Sequence, residues 1–573
     1  MGGCKFIAEL NRLRKSSSDS IDNVEKFDPF KVYMHVTRTA ENDLKNILRR
    51  VNDTTIKTLV LLCGSAGDGK SHLLSFLKNS DEEHLLDGYT VFNDATESNS
   101  PSKTAIETLN ELLAPFNDDN LDNSGNNIIL AINLGVLNNF IESSFGNRFT
   151  QLKSYVINNY ILSSQISDKK YSENSHFQHV SFSDYHMYSL TENGAKSNYI
   201  ESLLKKIFSK DDSNPFYSSH LKDCSNCTLA KKCPVKLNYE YLLAENRQRY
   251  IADTLIRTAA QDKVILTTRE ILNFIYDIVV AQDFNVREYQ KIIEDSAFLK
   301  IFTKHITPSL LFESYGVTPL MNTVHQYDPL LIRSEKSDEF SISYYVSSDI
   351  SNEVRSALKN TPYERVLCDQ ELLSKVNNDR SVKSRIFNLI IRAENIDNNT
   401  HNDLVYKEYL KDLYNYNAGK EKKLRSLYSM IQKGIIQWCG SDLDGNLCLD
   451  DRHHGFTLYE NINFEESLDH IPHPSEIDEL QRFFPSIIVS FADRNGGCIS
   501  LDVDYSLYKM IYKLNRGYIQ TADDRNNHAD FIGFVSKMLQ TGSLTESMTI
   551  TSDNGQRAYI SKGKFGYKFK VVR

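Results

Sequence analysis

The chain has 573 residues, of which 40% are hydrophobic and 25% are charged, and its formal net charge is -9. This composition excludes a disordered or fibrous chain and predicts a globular protein of roughly two to four domains. The negative charge argues against a surface that binds nucleic acid throughout, and no run reaches the roughly 18 apolar residues of a membrane span. Because a signal-peptide pattern is also missing, the sequence predicts a cytoplasmic protein without membrane contact.

In chain order, residues 1–30 are predicted to form a polar N-terminal arm. A helical pattern over 41–51 leads to an apolar run over 58–63, which is typical of a parallel strand buried on both faces. After a glycine-rich turn, leucines recur at helical spacing over 73–77. Strand, glycine-rich turn and helix therefore follow in the order that a phosphate-binding loop requires.

The turn has the pattern Gly-x-x-x-x-Gly-Lys-Ser, from Gly64 to Ser71. Its backbone N–H groups and the helix N-terminus suit the phosphates of a nucleotide, with Lys70 reaching the β- and γ-phosphates and Ser71 binding Mg²⁺. The predicted nucleotide-binding residues are Gly64, Ser65, Ala66, Gly67, Asp68, Gly69, Lys70, Ser71 and His72. We therefore expect a protein that binds ATP and magnesium; the alternative is a turn that binds nothing.

Three further strands are predicted over 89–92, 128–132 and 179–182, with helical segments between them. This alternation predicts an α/β fold, in which residues 31–310 form a P-loop NTPase domain of the AAA-like type around a parallel sheet. In such a sheet the polar residues that follow each strand lie at one edge. The candidate catalytic residues are expected there.

Triphosphate hydrolysis needs a carboxylate that orients water and groups that organise Mg²⁺. The third strand ends in Asn133, an amide that supplies no negative charge. Glu97 and Asp94, which follow the second strand, are the predicted water-activating acids, with ordinary turn or cap roles as the alternative. Asp184, after the fourth strand, is predicted to sense the γ-phosphate; a solvated strand-end acid is the alternative.

A helix start is predicted near residue 268. Thr268 is expected to cap this helix, which puts Arg269 in the first turn, where the helix dipole disfavours a cation. This placement is understandable if Arg269 faces a phosphate or an acidic partner. The alternative is an ordinary surface arginine.

Three cysteines are clustered: Cys224, Cys227 and Cys233. Together with His220 they match the ligands of a zinc site, and with a remote ligand they would suit an iron–sulfur cluster. Free buried thiols are the alternative. The group lies on a predicted insertion over about 213–237, before a long helix predicted over 239–260.

Beyond this domain, residues 311–440 are predicted to be mainly helical and residues 441–573 to form a mixed α/β domain. Its last segment, 557–573, carries six basic residues and no acid, which would suit contact with a DNA backbone or the solvation of a terminal strand. The pair His453-His454 is predicted to lie in a turn, and we see no nuclease signature.

The segments 64–74, 93–97, 129–135, 180–184 and 419–440, with the cysteine group, together resemble the DptF family of ATPase subunits from bacterial DNA phosphorothioation-dependent restriction systems. The resemblance implies a cytoplasmic antiviral defence protein that acts with two sister subunits, DptG-like and DptH-like, on DNA without the sulfur-modified backbone. It also implies ATP binding at Gly64, Gly67, Gly69, Lys70 and Ser71.

Two functions follow from this reading. The first is an ATP-driven motor or switch in a DNA restriction complex, in which ATP binding closes the sheet domain against the helical region and hydrolysis resets it. The second, favoured by Asn133, is a nucleotide-sensing scaffold that binds ATP with little hydrolysis and recruits partners. A kinase is disfavoured because no acceptor-binding pattern accompanies the loop, and the sequence leaves open whether the protein is a homo-oligomer.

Overall fold

The computed structural model describes residues 4–14, 29–80, 82–93, 104–123, 125–163, 171–295, 297–333, 335–369, 371–372, 374, 376, 379–398, 403–441, 446–450, 455–474, 477–493, 495–541 and 543–572. The chain separates into two compact units. Unit 1 comprises Met1–Tyr188, Lys196–Ala259 and Lys263–His401, and unit 2 comprises Ser189–Ala195, Ala260–Asp262 and Asn402–Arg573.

The described α-helices are α1 (Lys5–Leu10), α2 (Pro29–Met34), α3 (Thr39–Asn52), α4 (Lys70–Ser80), α5 (Ala105–Leu112), α6 (Leu134–Glu142), α7 (Thr150–Asn158), α8 (Asn198–Phe208), α9 (Pro215–Ser225), α10 (Pro234–Leu242), α11 (Glu245–Asp262), α12 (Thr268–Asp277), α13 (Val286–Ile292), α14 (Phe298–Phe302), α15 (Thr307–Glu313), α16 (Pro319–His325), α17 (Glu335–Val346), α18 (Ser351–Leu358), α19 (Glu364–Leu367), α20 (Arg380–Asp397), α21 (Leu404–Asn417), α22 (Arg425–Cys439), α23 (Tyr505–Leu514), α24 (Ala522–Asn527) and α25 (Ala529–Thr541).

The described strands are β1 (Leu59–Gly64), β2 (Tyr89–Phe92), β3 (Asn127–Asn133), β4 (Phe177–Ser181), β5 (Ser189–Thr191), β6 (Gly194–Lys196), β7 (Leu447–Asp450), β8 (Phe456–Asn463), β9 (Glu466–Ser467), β10 (Glu479–Leu480), β11 (Ile487–Ala492), β12 (Cys498–Val503), β13 (Ser543–Ser552), β14 (Arg557–Gly563) and β15 (Gly566–Val572). Short 3-10 helices occupy Ala114–Phe116, Ser144–Arg148, Phe182–Asp184, Pro329–Leu331 and Glu421–Lys423.

Unit 1 is built around a four-stranded parallel sheet with the order β2-β3-β1-β4, so the predicted α/β class with a parallel sheet is confirmed. The four predicted strands are all present. β1 lies in the middle of the sheet, and its last residue, Gly64, is paired in register with Asn133 at the end of β3. The strands therefore end at one edge, where α/β proteins bind their ligands.

The alternation of side chains along β1 explains why its sequence is apolar throughout. Leu59 and Leu61 face a core that includes Leu109 of α5 and Phe140 of α6. Val60 faces the opposite core, with residues of α3 and α4. Because successive side chains of a strand point to opposite faces, a strand covered on both faces needs an apolar residue at every position.

The remainder of unit 1 is helical. It contains a buried ion pair in which Arg392 of α20 donates hydrogen bonds to both carboxylate oxygens of Asp328, at 3.1 and 2.5 Å. Both residues are 3% exposed. A buried charge of this kind requires its partner, so the pair fixes the position of α20 against the segment that carries Asp328.

Unit 2 contains antiparallel sheets. β11 pairs with β12 and β9, and a five-stranded sheet has the order β15-β14-β13-β8-β7. The predicted helix over 505–514 is α23, and the predicted strands near 485–491 and 498–503 are β11 and β12. The basic C-terminal segment forms the hairpin of β14 and β15.

Three local predictions were wrong. The helix predicted over 239–260 is two helices, because α10 ends at Leu242 and α11 begins at Glu245. The helix near 268 is capped by Thr267, whose side chain accepts a hydrogen bond from the N–H of Glu270. Part of the predicted polar arm is α1, whose Phe6 is 1% exposed. α1 has only six residues, so its apolar residues do not repeat often enough to predict a helix.

Candidate functional site

The glycine-rich loop joins the end of β1 to the start of α4. Gly67 and Gly69 have φ angles of 89° and 95°, which only glycine adopts at low cost. A Cβ atom on Gly67 would also lie 3.2 Å from the hydroxyl of Thr267 and 3.3 Å from Cβ of Arg269. The loop therefore needs glycine here for its backbone conformation and for its approach to α12.

Lys70 is the first residue of α4 and is 8% exposed. Its Nζ atom donates a hydrogen bond of 2.6 Å to the carbonyl oxygen of Ser65 and lies 3.4 Å from Oδ1 of Asn133. The ammonium group is thus held across the loop at the carboxyl edge of the sheet. No acidic residue is present in the first turn of α4, so the positive end of the helix dipole adds to this charge.

The loop opens into a cavity of about 180 Å³ within unit 1. It is lined by side chains from the loop, from α2 to α4, from the ends of β2 and β3, and from α8 and α12. The lining residues are Phe30, Lys31, Met34, His35, Val36, Arg38, Glu41, Ala66, Gly67, Asp68, Gly69, Lys70, Ser71, His72, Leu73, Asn93, Ala131, Asn133, Phe182, Tyr199, Leu203, Thr268, Arg269 and Leu272. Seven of the nine predicted nucleotide-binding residues, Ala66 to His72, line this cavity. Gly64 ends β1, and the carbonyl oxygen of Ser65 accepts a hydrogen bond from Lys70.

Two arginines from distant parts of the chain line the cavity together with Lys70. Arg269, in the first turn of α12, has a buried Nε atom without a hydrogen-bond partner in the described structure. Arg38 donates a hydrogen bond of 2.9 Å to the carbonyl oxygen of Asp68, and burial lowers the pKa of its guanidinium. Several cations in one small cavity favour a polyanionic ligand.

Asp68 has a structural role in the loop. Its Oδ2 atom accepts a hydrogen bond of 2.5 Å from the backbone N–H of Ser65. Burial raises the pKa of Asp68, although the charge of Lys70, the hydrogen bond from Ser65 and the charge of Arg38 partly offset this effect. The carboxyl group of Asp68 thus stabilises the turn by a hydrogen bond to its backbone.

Neutral oxygen atoms collect on one side of the loop. The hydroxyl of Ser71 lies 3.5 Å from the carbonyl oxygen of Asn93, at the end of β2. Oδ1 of Asn93 is buried without a hydrogen-bond partner in the described structure, and Oδ1 of Asn133 lies near Lys70. Hydroxyl and amide oxygens are ligands, directly or through water, that suit Mg²⁺. These residues therefore fit a magnesium ion beside Ser71.

The lining of the cavity also includes two histidines and an acid. Nδ1 of His35 lies 3.2 Å from Nε2 of His72, and Nε2 of His35 lies 3.1 Å from a carboxylate oxygen of Glu41. The ring of His35 stacks on Phe76 with 3.6 Å between the centroids. Burial, followed by the charges of His35 and Lys31, lowers the pKa of His72 to about 4. His72 is therefore neutral near pH 7.

The rest of the cavity wall is apolar. Phe30 and Met34 of α2, Leu203 of α8 and Leu272 of α12 contribute to it. Pockets of this type hold the flat apolar part of a ligand, while the polar groups at one end fix its orientation. The cavity therefore combines an apolar region with a cationic one.

The remaining predicted catalytic residues are less directly connected with this cavity. Asp94 and Glu97 lie outside the described residues. Asp184 ends the 3-10 helix that follows β4, and it is Phe182, at the start of this turn, that lines the cavity. Arg269 lies beside the loop, as predicted for a phosphate-facing arginine.

The structure also brings in residues that the sequence did not single out. Arg38, Asn93 and Tyr199 all line the cavity. Asn93 directly follows a strand, which is the signal that had selected Asn133. Arg38 precedes α3 without any motif, and only the tertiary structure reveals it.

The cysteine group lies elsewhere in unit 1. Cys224 is in the last turn of α9, and Cys233 directly precedes α10. His220 was predicted as a fourth ligand, but its Nε2 lies 3.5 Å from Glu240 and its ring packs on Phe6 and Tyr239. As they stand, no three His, Cys, Asp or Glu side chains in the described part of the chain are grouped so that they could hold a metal ion.

Comparison with protein-family models, curated proteins and solved structures finds no significant match to this chain. Among the described residues, no helix has the length and apolar character needed to span a membrane.

Proposed function

We propose that this protein is a P-loop NTPase that binds ATP with Mg²⁺ and hydrolyses it. One observation carries the proposal: the glycine-rich loop, the ammonium of Lys70 and the guanidinium of Arg269 all border one cavity. The loop follows a central strand of a parallel sheet and precedes a helix, which is the setting that gives the sequence motif its meaning. We also propose that the sheet domain of unit 1 is of the AAA-like type.

The residues of the cavity suggest separate roles. The backbone of the loop and Lys70 would hold the phosphates, and Arg269 would neutralise charge that develops on the γ-phosphate. The apolar wall with Phe30 and Leu272 would hold the base. Magnesium, when bound beside Ser71, supplies positive charge to the phosphate oxygens.

The glutamate or aspartate that orients the attacking water is proposed from the sequence alone. Glu97 and Asp94 follow β2 in the sequence. Asn93, the residue directly after β2, lines the cavity. Asp184 remains a candidate γ-phosphate sensor on the neighbouring strand. Substituting each acid by its amide and measuring turnover would identify the residue that is needed for hydrolysis.

A nucleotide-sensing scaffold is the second candidate function. Asn133 favours it, because this position at the end of β3 faces Lys70 with an amide instead of a carboxylate. Such a protein would bind ATP tightly, turn it over very slowly, and tolerate the loss of Glu97 and Asp94. An ATPase would bind ATP in these variants but lose its turnover.

The resemblance to the DptF family extends the proposal to a biological role. We propose a subunit of a DNA phosphorothioation-dependent restriction complex that acts against unmodified DNA, with DptG-like and DptH-like partners. Lys568 and Lys570 on the C-terminal strand support contact with a DNA backbone. Copurification of the protein with its genomic neighbours and with DNA tests this role separately from ATP binding.

The central experiment compares wild type with Lys70→Ala and with Lys205→Ala, a matched variant that removes an exposed lysine of α8. Binding of Mg-ATP is measured by calorimetry and turnover by phosphate release. We expect Lys70→Ala to lower turnover by roughly a hundredfold or more, while Lys205→Ala resembles wild type. Equal binding and turnover in all three proteins would rule out nucleotide binding at this loop.

A further inference from the structure

The hairpin of β14 and β15 in unit 2 carries a cluster of exposed aromatic rings. β15 lies at the edge of the described five-stranded sheet and pairs with β14. Phe565, in the turn of the hairpin, is fully exposed, and Tyr567 and Phe569 of β15 are 79% and 64% exposed. Single exposed apolar side chains are ordinary, but a contiguous group of them marks an interaction site.

Two of these rings share one face of the sheet. Tyr567 and Phe569 are two positions apart on β15, so their side chains point to the same face and their Cα atoms are about 6.7 Å apart along the strand. In the paired register, Phe569 lies beside Ile560 of β14, and Tyr567 lies beside Lys562. The rings therefore have an apolar neighbour and a cation next to them on the same face.

Cations surround the rings. The segment 557–573 contains six basic residues and no acid, although the net charge of the whole chain is -9. Lys564 lies in the turn, and Lys568 and Lys570 alternate with the rings along β15, on the opposite face. All three lysines are exposed. Such a local concentration of positive charge on an acidic chain favours a polyanionic partner.

We propose that this hairpin binds single-stranded DNA, with bases stacked on Tyr567 and Phe569 and phosphates beside the lysines. Proteins that bind single strands combine a positive surface with aromatic side chains on which bases stack. In a duplex, successive bases of one strand are about 3.4 Å apart, half the spacing of the two rings, and they stack on each other. Only a strand whose bases have separated can place one base on each ring.

Two other partners suit the hairpin less well. Lysines on an edge strand disfavour pairing with the edge of a second copy of the chain. An anionic lipid surface would contact one face of the hairpin, whereas Lys562 and Lys568 lie on opposite faces. A flexible nucleic acid strand can reach both faces. The choice of DNA over RNA rests on the proposed function in DNA restriction.

The affinity for a short fluorescent single strand of mixed sequence tests the proposal. The full chain is titrated without nucleotide at low salt, and fluorescence anisotropy reports binding. We expect Tyr567→Ala and Phe569→Ala each to weaken binding by roughly tenfold, the effect of losing one stacked base. Phe569→Tyr retains a ring and should bind as wild type does. Tyr315→Ala, which removes an exposed ring of unit 1, is the matched control and should have no effect.

Salt and other ligands test the remaining parts of the proposal. Replacing Lys568 and Lys570 together by Ala should lower the slope of log affinity against log salt by about 1.4, and duplex DNA of the same sequence should bind more weakly. No binding of the single strand at low salt, or unchanged affinity in both aromatic variants, would overturn the proposal. Binding of single-stranded RNA alone, or tighter binding of anionic lipid vesicles than of DNA, would also overturn it.

Failure of this inference can be separated from failure of the nucleotide site. Phe569→Ala should retain the Mg-ATP affinity of wild type and its far-UV circular dichroism spectrum, because the side chain is exposed on β15. If the chain binds ATP but not the single strand, the hairpin proposal alone is wrong. If it binds the single strand but not ATP, the hairpin proposal stands and the nucleotide proposal is wrong.

Discussion

The Nζ atom of Lys70 donates a hydrogen bond of 2.6 Å to the carbonyl oxygen of Ser65, five positions earlier in the same loop. This bond orients the ammonium group across the loop. A phosphate in the cavity would find the charge already positioned, so little reorganisation would accompany binding.

The loop conformation can be tested at Gly67. Gly67→Ala should lower the affinity for Mg-ATP by roughly tenfold or more, because its Cβ would press on Thr267 and Arg269 beside the phosphate site. Gly88→Ala is the matched control: its φ of 83° imposes similar strain, about 1 kcal/mol, but a Cβ atom there meets nothing within 4 Å. Titration calorimetry compares the two. Equal affinity for Mg-ATP in both variants would show that the contacts of the added Cβ atom with Thr267 and Arg269 do not affect binding.

Arg269 can be compared with an arginine in the same helical position. Arg269→Ala should weaken binding or slow turnover by about 10- to 100-fold, the loss expected for a charge-assisted hydrogen bond of about 1.5–3 kcal/mol. Arg287 is likewise the second residue of its helix, α13, but is exposed. Arg287→Ala should leave both quantities unchanged. An effect of the same size in the two variants would point to the helix dipole and not to phosphate contact.

The neutral state of His72 predicts a pH dependence of stability. The pKa of His72 is about 4 in the folded chain and about 6.5 when unfolded, so below pH 6.5 the unfolded state binds the proton first. The stability contributed by His72 is present above about pH 6.5 and is lost as the pH falls towards 4. We expect the free energy of unfolding of His72→Gln, measured with urea, to fall by about 2 kcal/mol less than that of wild type as the pH drops from 6.5 to 4. The exposed His84→Gln serves as the control and should follow wild type.

The buried pair of Arg392 and Asp328 predicts a large stability effect far from the cavity. Arg392→Ala leaves a buried carboxylate without its partner and should cost about 3–5 kcal/mol. Arg333, whose side chain is 89% exposed, pairs with Asp338, and Arg333→Ala should cost less than about 1 kcal/mol. Thermal unfolding measures both. Similar melting temperatures would show that solvent reaches the Asp328 carboxylate.

Much of the fold near the cavity was predictable from the sequence. The apolar run of β1, the glycines of the loop and the leucines of α4 each carry a local signal, because both faces of the strand are buried and the turn requires positive φ angles. The break between α10 and α11 was not predictable in this way. The apolar pattern continues through Leu243, and the helix is interrupted at Ala244, whose backbone is extended without a side-chain cap.

The sequence by itself determined the presence of a loop suited to phosphates, since glycine, lysine and serine act there through their own backbone and side-chain chemistry. Only the tertiary structure decided which distant residues complete the site. Arg38 and Arg269 reach the loop through the packing of helices that lie far apart in the chain. No local pattern encodes such proximity, because it arises from the way the separate apolar faces share a core.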